Sequence, residues 1–365
     1  MQTAVYYFPN YHCDARNALT HGTRWNEWEL VRRARPRFPG HVQPKIPLWG
    51  YEDESDPAVM RRKIDAAASH GIDAFIFDWY YYEDGLFLER ALEKGFMPAA
   101  VDGRLKFALM WANHDWRELH PWRNGTPKPI LYPGEISDQA FERMTDLIVE
   151  RYFPHPAYWK IKGKPYFSIY SAKYLGSPER LMRFREKAVR AGFPGIHINM
   201  ILQDNAVLPG ETPPEGNGLQ PDRCGFDSLT SYIWLHHCRL SDFPRTSYRE
   251  VMDDYFLRFC ADIRRRGSAI PYYPNVTAGW DSSPRTAQDT VFDPACGYPY
   301  TPVMESTPAE FAEAVSRARQ TGTEIITVNA WNEWTEGSYL EPDTRNGFAY
   351  LDALKTGLVR EPQEL

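Results

Sequence analysis

The chain has 365 residues, 43% of them hydrophobic and 25% charged, and a formal net charge of -6. That length suits an α/β barrel with enlarged loops and is ample for a large core. The acidic balance offers no electrostatic footprint for nucleic acid, and no run reaches the roughly 18 apolar residues of a membrane span. The start, Met1-Gln2-Thr3-Ala4-Val5-Tyr6-Tyr7, lacks the basic and apolar regions of a secretory signal, which points to a cytoplasmic protein. Cys13, Cys224, Cys238, Cys260 and Cys296 are odd in number and widely spaced, as free thiols in a reducing compartment would be.

Strand candidates, dense in Val, Ile, Phe and Tyr and nearly free of charge, follow one another in chain order. They are Ala4–Pro9, Ala74–Trp79, Lys106–Trp111, Tyr166–Tyr170, Ile196–Ile201, Ser228–Tyr232, Ala269–Asn275 and Glu324–Asn329. Helix signals lie between them. Asp56-Pro57 opens a helix that Gly71 closes, and Ser177-Pro178 opens one that runs to Gly192. Tyr248–Arg266 carries apolar residues at helical spacing up to Gly267, and Thr307-Pro308 opens Ala309–Gln320. Asp138–Arg151, Leu86–Lys94 and Phe348–Gly357 are further helices, and the one after the fifth strand is weakly marked. Thr20–Asp56 and Leu208–Arg223 read as loops that decorate the barrel.

Eight strands alternating with helices predict a parallel sheet closed as a (β/α)8 TIM barrel with extended βα loops, in a single domain over residues 1–365. An open doubly wound sheet is the alternative, but no GxGxxG follows the first strand. Barrel chemistry sits at the C-terminal ends of the strands. Those ends pair aromatic with hydrogen-bonding residues: Tyr6 and His12; Trp79 and Tyr80, beside Asp78; Trp111, Asn113 and His114; Tyr170; Tyr232; Trp280, Asp281 and Arg285. The eighth delivers Trp331-Asn332-Glu333-Trp334-Thr335-Glu336-Gly337. With 12 Trp and 22 Tyr in the chain, this pattern suits a neutral polyhydroxylated ligand, whose C–H faces pack on aromatic rings.

Several of these residues also admit structural roles. His12 and His114 can be hydrogen-bonded core histidines, Asp78 a loop cap, and Asp281 with Arg285 an ion pair. His236-His237 read as surface or loop residues. The pair Glu333 and Glu336 is more pointed. If the segment turns helically, residues three apart face the same way, with roughly 5–6 Å between Cβ atoms. Two carboxylates so placed among tryptophans should not ionise together, which is the acid-plus-base condition of glycosidic cleavage.

Val328–Pro342 (VNAWNEWTEGSYLEP) resembles the WbsX-like, glycoside hydrolase family 99-like proteins. So do Trp25-Asn26-Glu27-Trp28 with Pro36, Phe38, Gly40, His41, Gln43 and Pro44, and also Gly71-Ile72-Asp73, Trp111-Ala112-Asn113, and Gly279-Trp280-Asp281 with Pro284-Arg285. The resemblance implies a (β/α)8 barrel and retaining hydrolysis of a carbohydrate without metal or cofactor. It also implies Glu333 as base toward a sugar 2-hydroxyl and Glu336 as acid/base at the leaving oxygen. The route requires a 2-oxygen trans to the leaving group, as in α-mannosides and α-L-rhamnosides. Asn113-His114-Asp115 replaces the Asn-Glu-Asn more usual in the WbsX-like branch, and Phe8-Pro9-Asn10-Tyr11-His12 follows that branch. A glycosyltransferase of polysaccharide or O-antigen synthesis and a non-catalytic sugar-binding barrel are the competing functions. The sequence carries no mark of oligomeric state.

Overall fold

The computed structural model describes residues 1–207, 221 and 224–359. Eight parallel strands form the centre: β1 Gln2–Tyr7, β2 Ala74–Tyr82, β3 Lys106–Trp111, β4 Lys164–Ile169, β5 His197–Leu202, β6 Ser228–Ser231, β7 in two pieces (Tyr272–Tyr273 and Asn275–Thr277) and β8 Ile325–Asn329. β1 pairs with β2 on one side and β8 on the other, and β2 through β6 follow in sequence order. The two pieces of β7 close the ring. Tyr272–Tyr273 pairs with β6 and Asn275–Thr277 with β8. Pro274 stands between them. It has no N–H to give a neighbour, but its carbonyl accepts Thr327 N at 3.0 Å. The result is the (β/α)8 barrel that the alternating pattern predicts.

Several helices start where their caps say they should. Asp56 accepts Ala58 N at 2.8 Å ahead of Pro57–Ser69. Pro178–Arg190 follows Ser177. Thr307 and Glu310 form a reciprocal capping box for Pro308–Gln320. Other elements depart from expectation. The stretch Tyr248–Arg266 is not one regular helix: a π-helical turn, Asp254–Phe259, separates Tyr248–Asp253 from Cys260–Arg266. The wider turn re-phases the helix face, so that Tyr255, Phe256 and Phe259 are all buried and the first two pack on Trp234. A second π turn, Ile148–Tyr152, ends the helix Asp138–Leu147. After β2 the expected helix Leu86–Lys94 starts late. β2 runs on to Tyr82 and pairs antiparallel with Gly85–Phe87 before a π turn at Ala91–Phe96. The loop expected over Leu208–Arg223 falls almost wholly outside the described residues. No helix among the described residues is long and apolar enough to cross a membrane.

Side chains alternate between the inside and outside of the ring. On β2, Phe77 and Trp79 face outward onto Phe96 and Tyr152, while Asp78 points inward to Tyr232. On β3 Trp111 packs outward on Phe141. The lower interior is polar and internally bonded: Thr230 Oγ1 lies 3.1 Å from Thr327 Oγ1, and Asn275 donates to Thr327 at 3.2 Å.

His12 and Tyr11 are held by Glu54, whose backbone lies tight against Gly95 of the π turn after β2. A Cβ at Gly95 would meet the Glu54 carbonyl oxygen at 2.1 Å. Gly95→Ala is therefore expected to destabilise the barrel by about 1–3 kcal/mol, measured by urea unfolding. An unchanged midpoint would show that this contact relaxes freely.

Candidate active site

β8 ends at Asn329, and the chain then forms a small hairpin in which Asn332–Glu333 pairs with Ser338–Tyr339. Glu336 N donates to Glu333 O at 3.1 Å and Gly337 N to Trp334 O at 3.4 Å. The segment is thus a tight turn between two short strands rather than the first turn of a helix. Gly337 adopts φ 67°, and a Cβ there would lie 2.6 Å from Asp281 Cβ, so the turn requires glycine on two counts.

The flanking residues anchor the turn from outside. Asn332 exchanges two hydrogen bonds of 2.8 Å with the backbone of Phe8. Trp334 stacks on Tyr339 with centroids 3.8 Å apart and donates its indole N–H to Glu341 at 2.8 Å. Trp331 packs behind on Phe75. Glu333 and Glu336 are left facing the cavity at the barrel mouth.

Arg285, from the short 3-10 turn Ser283–Arg285 after β7, links the acidic groups of this cavity. Its Nη1 donates to Glu336 Oε1 and, at 2.9 Å, to Tyr298 Oη. Nη2 donates to Glu27 Oε1 at 3.0 Å and lies 3.5 Å from Glu333 Oε2. Nε donates to Thr335 Oγ1 at 2.9 Å. Burial alone would discourage the charge on Arg285, but Tyr298, Glu336, Glu27 and Glu333 together hold the guanidinium firmly protonated.

On the other side, Tyr232 after β6 places its hydroxyl 2.8 Å from Asp78 Oδ2 and 2.9 Å from Glu333 Oε1. Its ring rests on Tyr6 and Tyr170. Burial pushes the Glu333 carboxyl well above the usual range; the Glu336 charge adds to this and Arg285 opposes it. Asp78 is likewise pushed up by burial, against the hydrogen bond from Tyr232. The cavity thus gathers Glu27, Glu333 and Glu336 around one guanidinium and Asp78 behind Tyr232, with Tyr80, His114, Trp116, Tyr170, Tyr174 and Tyr298 among its walls.

The profile of the family described as Glycosyltransferase WbsX matches residues 3–354. The chain belongs to the WbsX family. It is similar to the uncharacterized protein WxcX of Xanthomonas campestris pv. campestris, represented by two strains, with 28% identity over 380 residues. The alignment takes in 98% of this chain and 50% of WxcX, so the chain spans about half the length of the curated relatives it matches. Among solved structures it resembles the GH99 endo-alpha-mannosidase from Bacteroides thetaiotaomicron, with TM-score 0.60 and 16% identity over 98% of this chain and 95% of that one. A glycoside hydrolase-like protein matches with TM-score 0.57 and 15% identity over 98% and 93% of the two chains. At these identities the likeness is one of fold, and it places the WbsX chain among barrels of the GH99 type.

The WbsX barrel brings Tyr80, His114, Tyr170, Tyr232, Arg285, Glu333 and Glu336 to the cavity. The other residues singled out from the sequence lie elsewhere. Tyr6 supports Tyr232 from below. His12 is buried, 3.3 Å from Glu54. Trp79 and Trp111 occupy outward phases of their strands, Trp331 packs on Phe75 just beyond β8, and Asn113 ties its loop to Ser171 through two 2.7 Å bonds. Trp280 donates to Thr301 at 2.7 Å. Asn332 and Trp334 serve as the anchors already described. Asp281 and Arg285 take different partners, so they are not a mutual ion pair. Asp281 accepts from Gln43 at 2.6 Å and lies 2.9 Å from His41 and 3.5 Å from Lys45, while its backbone N–H donates to Glu336 O at 2.5 Å. Burial would raise its carboxyl, but Lys45 and His41 outweigh that and keep it ionised. His236 and His237 are buried, not superficial, and His237 sits between Asp204 and Ser231 at 2.8 and 2.7 Å.

Three cavity carboxylates, Asp78, Glu27 and Asp115, appear in the sequence motifs but were not singled out as site residues. Asp78 lies at the inward phase of β2, between two outward aromatics. Glu27 belongs to Trp25-Asn26-Glu27-Trp28, the same tetrapeptide as Trp331-Asn332-Glu333-Trp334, and that repetition was the available signal. Arg285→Met should leave Glu27, Glu333 and Glu336 uncompensated and cost roughly 3–5 kcal/mol near neutral pH. The loss should shrink as pH falls, because an acid whose folded pKa is raised regains stability on protonation. Thermal unfolding of both proteins across neutral to mildly acidic pH measures this, and a pH-independent difference would contradict it.

Proposed function

We propose that this chain is a retaining glycoside hydrolase acting on α-linked manno-configured sugars, α-mannosides or α-L-rhamnosides, within oligo- or polysaccharides. The observation that carries the reading is the turn Glu333–Glu336. It presents two buried carboxyls to one cavity, one biased toward protonation by burial and the other held by a guanidinium. In the reaction, the sugar 2-hydroxyl gives its proton to Glu333 as the 2-oxygen bonds to the anomeric carbon. The bond to the leaving oxygen breaks as that oxygen takes a proton from Glu336. Water then opens the 1,2-anhydro sugar: Glu336 accepts the water proton and Glu333 returns its own to the 2-oxygen. Two inversions give net retention.

The observed contacts load the pair the other way, with Glu336 as the Arg285-bound carboxylate. The proposed roles therefore require bound sugar to leave Arg285 with Glu27 and Tyr298, which already share it, so that Glu336 can carry the proton.

Arg285, the cation at the Glu333–Glu336 turn, is already taken up by Glu27, Glu333 and Glu336, which disfavours the diphosphate of a sugar-nucleotide donor at that turn and weighs against a transferase. A sugar-binding protein would have no need of a coupled, desolvated acid pair. The structurally similar Bacteroides protein is an endo-alpha-mannosidase, which supports the manno-configured choice. The test uses aryl α-mannosides and α-L-rhamnosides of graded leaving-group acidity. Glu336→Gln should lose about 10²–10⁴-fold on poor leaving groups and much less on good ones, whereas Glu333→Gln should lose on all. Full cleavage by Glu336→Gln would sink the mechanism, and the opposite pattern would exchange the two roles.

A further inference from the structure

Tyr232 has one hydroxyl proton, yet its oxygen lies within hydrogen-bond distance of two carboxyl groups, Asp78 Oδ2 at 2.8 Å and Glu333 Oε1 at 2.9 Å. A phenol can give its proton to only one of them. For both contacts to be hydrogen bonds, the other carboxyl must itself carry a proton and donate it to the phenol oxygen. Among the described residues the remaining oxygens, Asp78 Oδ1 and Glu333 Oε2, are buried without a hydrogen-bond partner, Glu333 Oε2 lying 3.5 Å from Arg285 Nη2, and both residues line the cavity.

We propose that Asp78, Tyr232 and Glu333 form a relay in which Asp78 stores a proton through the Tyr232 hydroxyl and thereby leaves Glu333 free to act as the base. In one state Asp78 donates to Tyr232 and Tyr232 donates to Glu333, which is a carboxylate with Oε2 open to a sugar hydroxyl. In the other state both protons have moved one place, so that Glu333 is the acid and Asp78 the carboxylate. Two protons shift together and none is gained or lost. Asp78 is thus a positioning residue that acts on Glu333 through Tyr232.

The charged groups around the trio agree with this count. Glu336 and Glu27 face Glu333 and discourage a second negative charge there, while Arg285 opposes them. Tyr6 and Tyr80 are neutral phenols packed around the trio, Tyr170 packs on Tyr232, and Met110 of β3 and Gln203 just after β5 carry no charge, while His114, Asp115, Arg117 and Lys173 line other parts of the same cavity. Burial raises both ends of the relay, as expected where one proton is shared between them.

The inference rests on the hydrolase reading for its role in turnover, but the proton itself can be counted without substrate. Infrared difference spectra of the carboxyl C=O stretch near neutral pH should show a protonated acid. That band should be lost or displaced in both D78N and E333Q, and displaced in Y232F. Absence of any such band would overturn the relay. In turnover, D78N should move the acid limb of kcat/KM to higher pH, by about 0.3 pH unit, because the proton that Asp78 and Glu333 share can then sit only on Glu333. The same change in a Y232F background should move it little. Equal shifts in both backgrounds would mean that Asp78 acts by charge alone, and would overturn the relay. Should the wild type cleave no glycoside at all, the hydrolase reading fails, and the infrared band still decides the relay.

Discussion

A single buried guanidinium makes the rest of the site possible. Without Arg285, four carboxyl groups withdrawn from water at the barrel mouth would repel one another and resist burial. With it, Glu27, Glu333 and Glu336 share one counter-charge, and Thr335 and Tyr298 take further N–H donors. The partners come from three stretches: Glu27 from the long segment after β1, Tyr298 from the excursion between β7 and β8, and Glu333, Thr335 and Glu336 from the hairpin after β8. Arg285 therefore fixes how three loops meet, in addition to setting the charge of the cavity.

A second polar network lies behind the first and holds the backbone. Asp281 collects His41, Gln43 and Lys45 from the segment after β1 while its own N–H reaches the Glu336 carbonyl. Gly279 and Gly337 permit this approach, since a Cβ on Gly279 would meet Gly337 O at 2.9 Å. The Glu336 side chain is set by Arg285 and its main chain by Asp281. Of the two residues that follow β7, one touches the cavity and the other steadies the turn that carries the acid. This division also explains why Asp281 stays ionised in a wholly buried place: its charge is met by Lys45 and never faces the cavity carboxylates directly.

The barrel was legible because its strands are buried on both faces, so each reads as an uninterrupted apolar run between Pro and Gly signals. That same property hid the phase of each strand. In Phe77-Asp78-Trp79-Tyr80 nothing in composition says which residues point inward, and the larger aromatics attract attention although Trp79 packs against the helices. Phase is set by partners far away in sequence, such as Tyr232 for Asp78 and Phe141 for Trp111. The π turns escaped notice for a related reason: a single wide turn alters the helical period by too little for spacing to register, yet it is enough to bury Phe259 with Tyr255. Tyr298 was out of reach by local reading, because its role exists only through Arg285, whereas Glu27 was marked only by the repeated Trp-Asn-Glu-Trp tetrapeptide.

The spacing of Glu333 and Glu336 led to a sound juxtaposition by way of the wrong local structure. A helix would have carried Trp334 and Thr335 around its side and left the pair on an exposed face. The turn does something more useful. Its i to i+3 hydrogen bond brings the two glutamates to one edge, sends Trp334 to the opposite face against Tyr339, and directs Thr335 to Arg285 and Glu27. Along Glu333-Trp334-Thr335-Glu336-Gly337 the residues then serve in order as carboxyl, anchor, tie, carboxyl and steric gap. A glutamate moved by one position would lose either Tyr232 or Arg285, and with it the difference in surroundings that separates the two carboxyls.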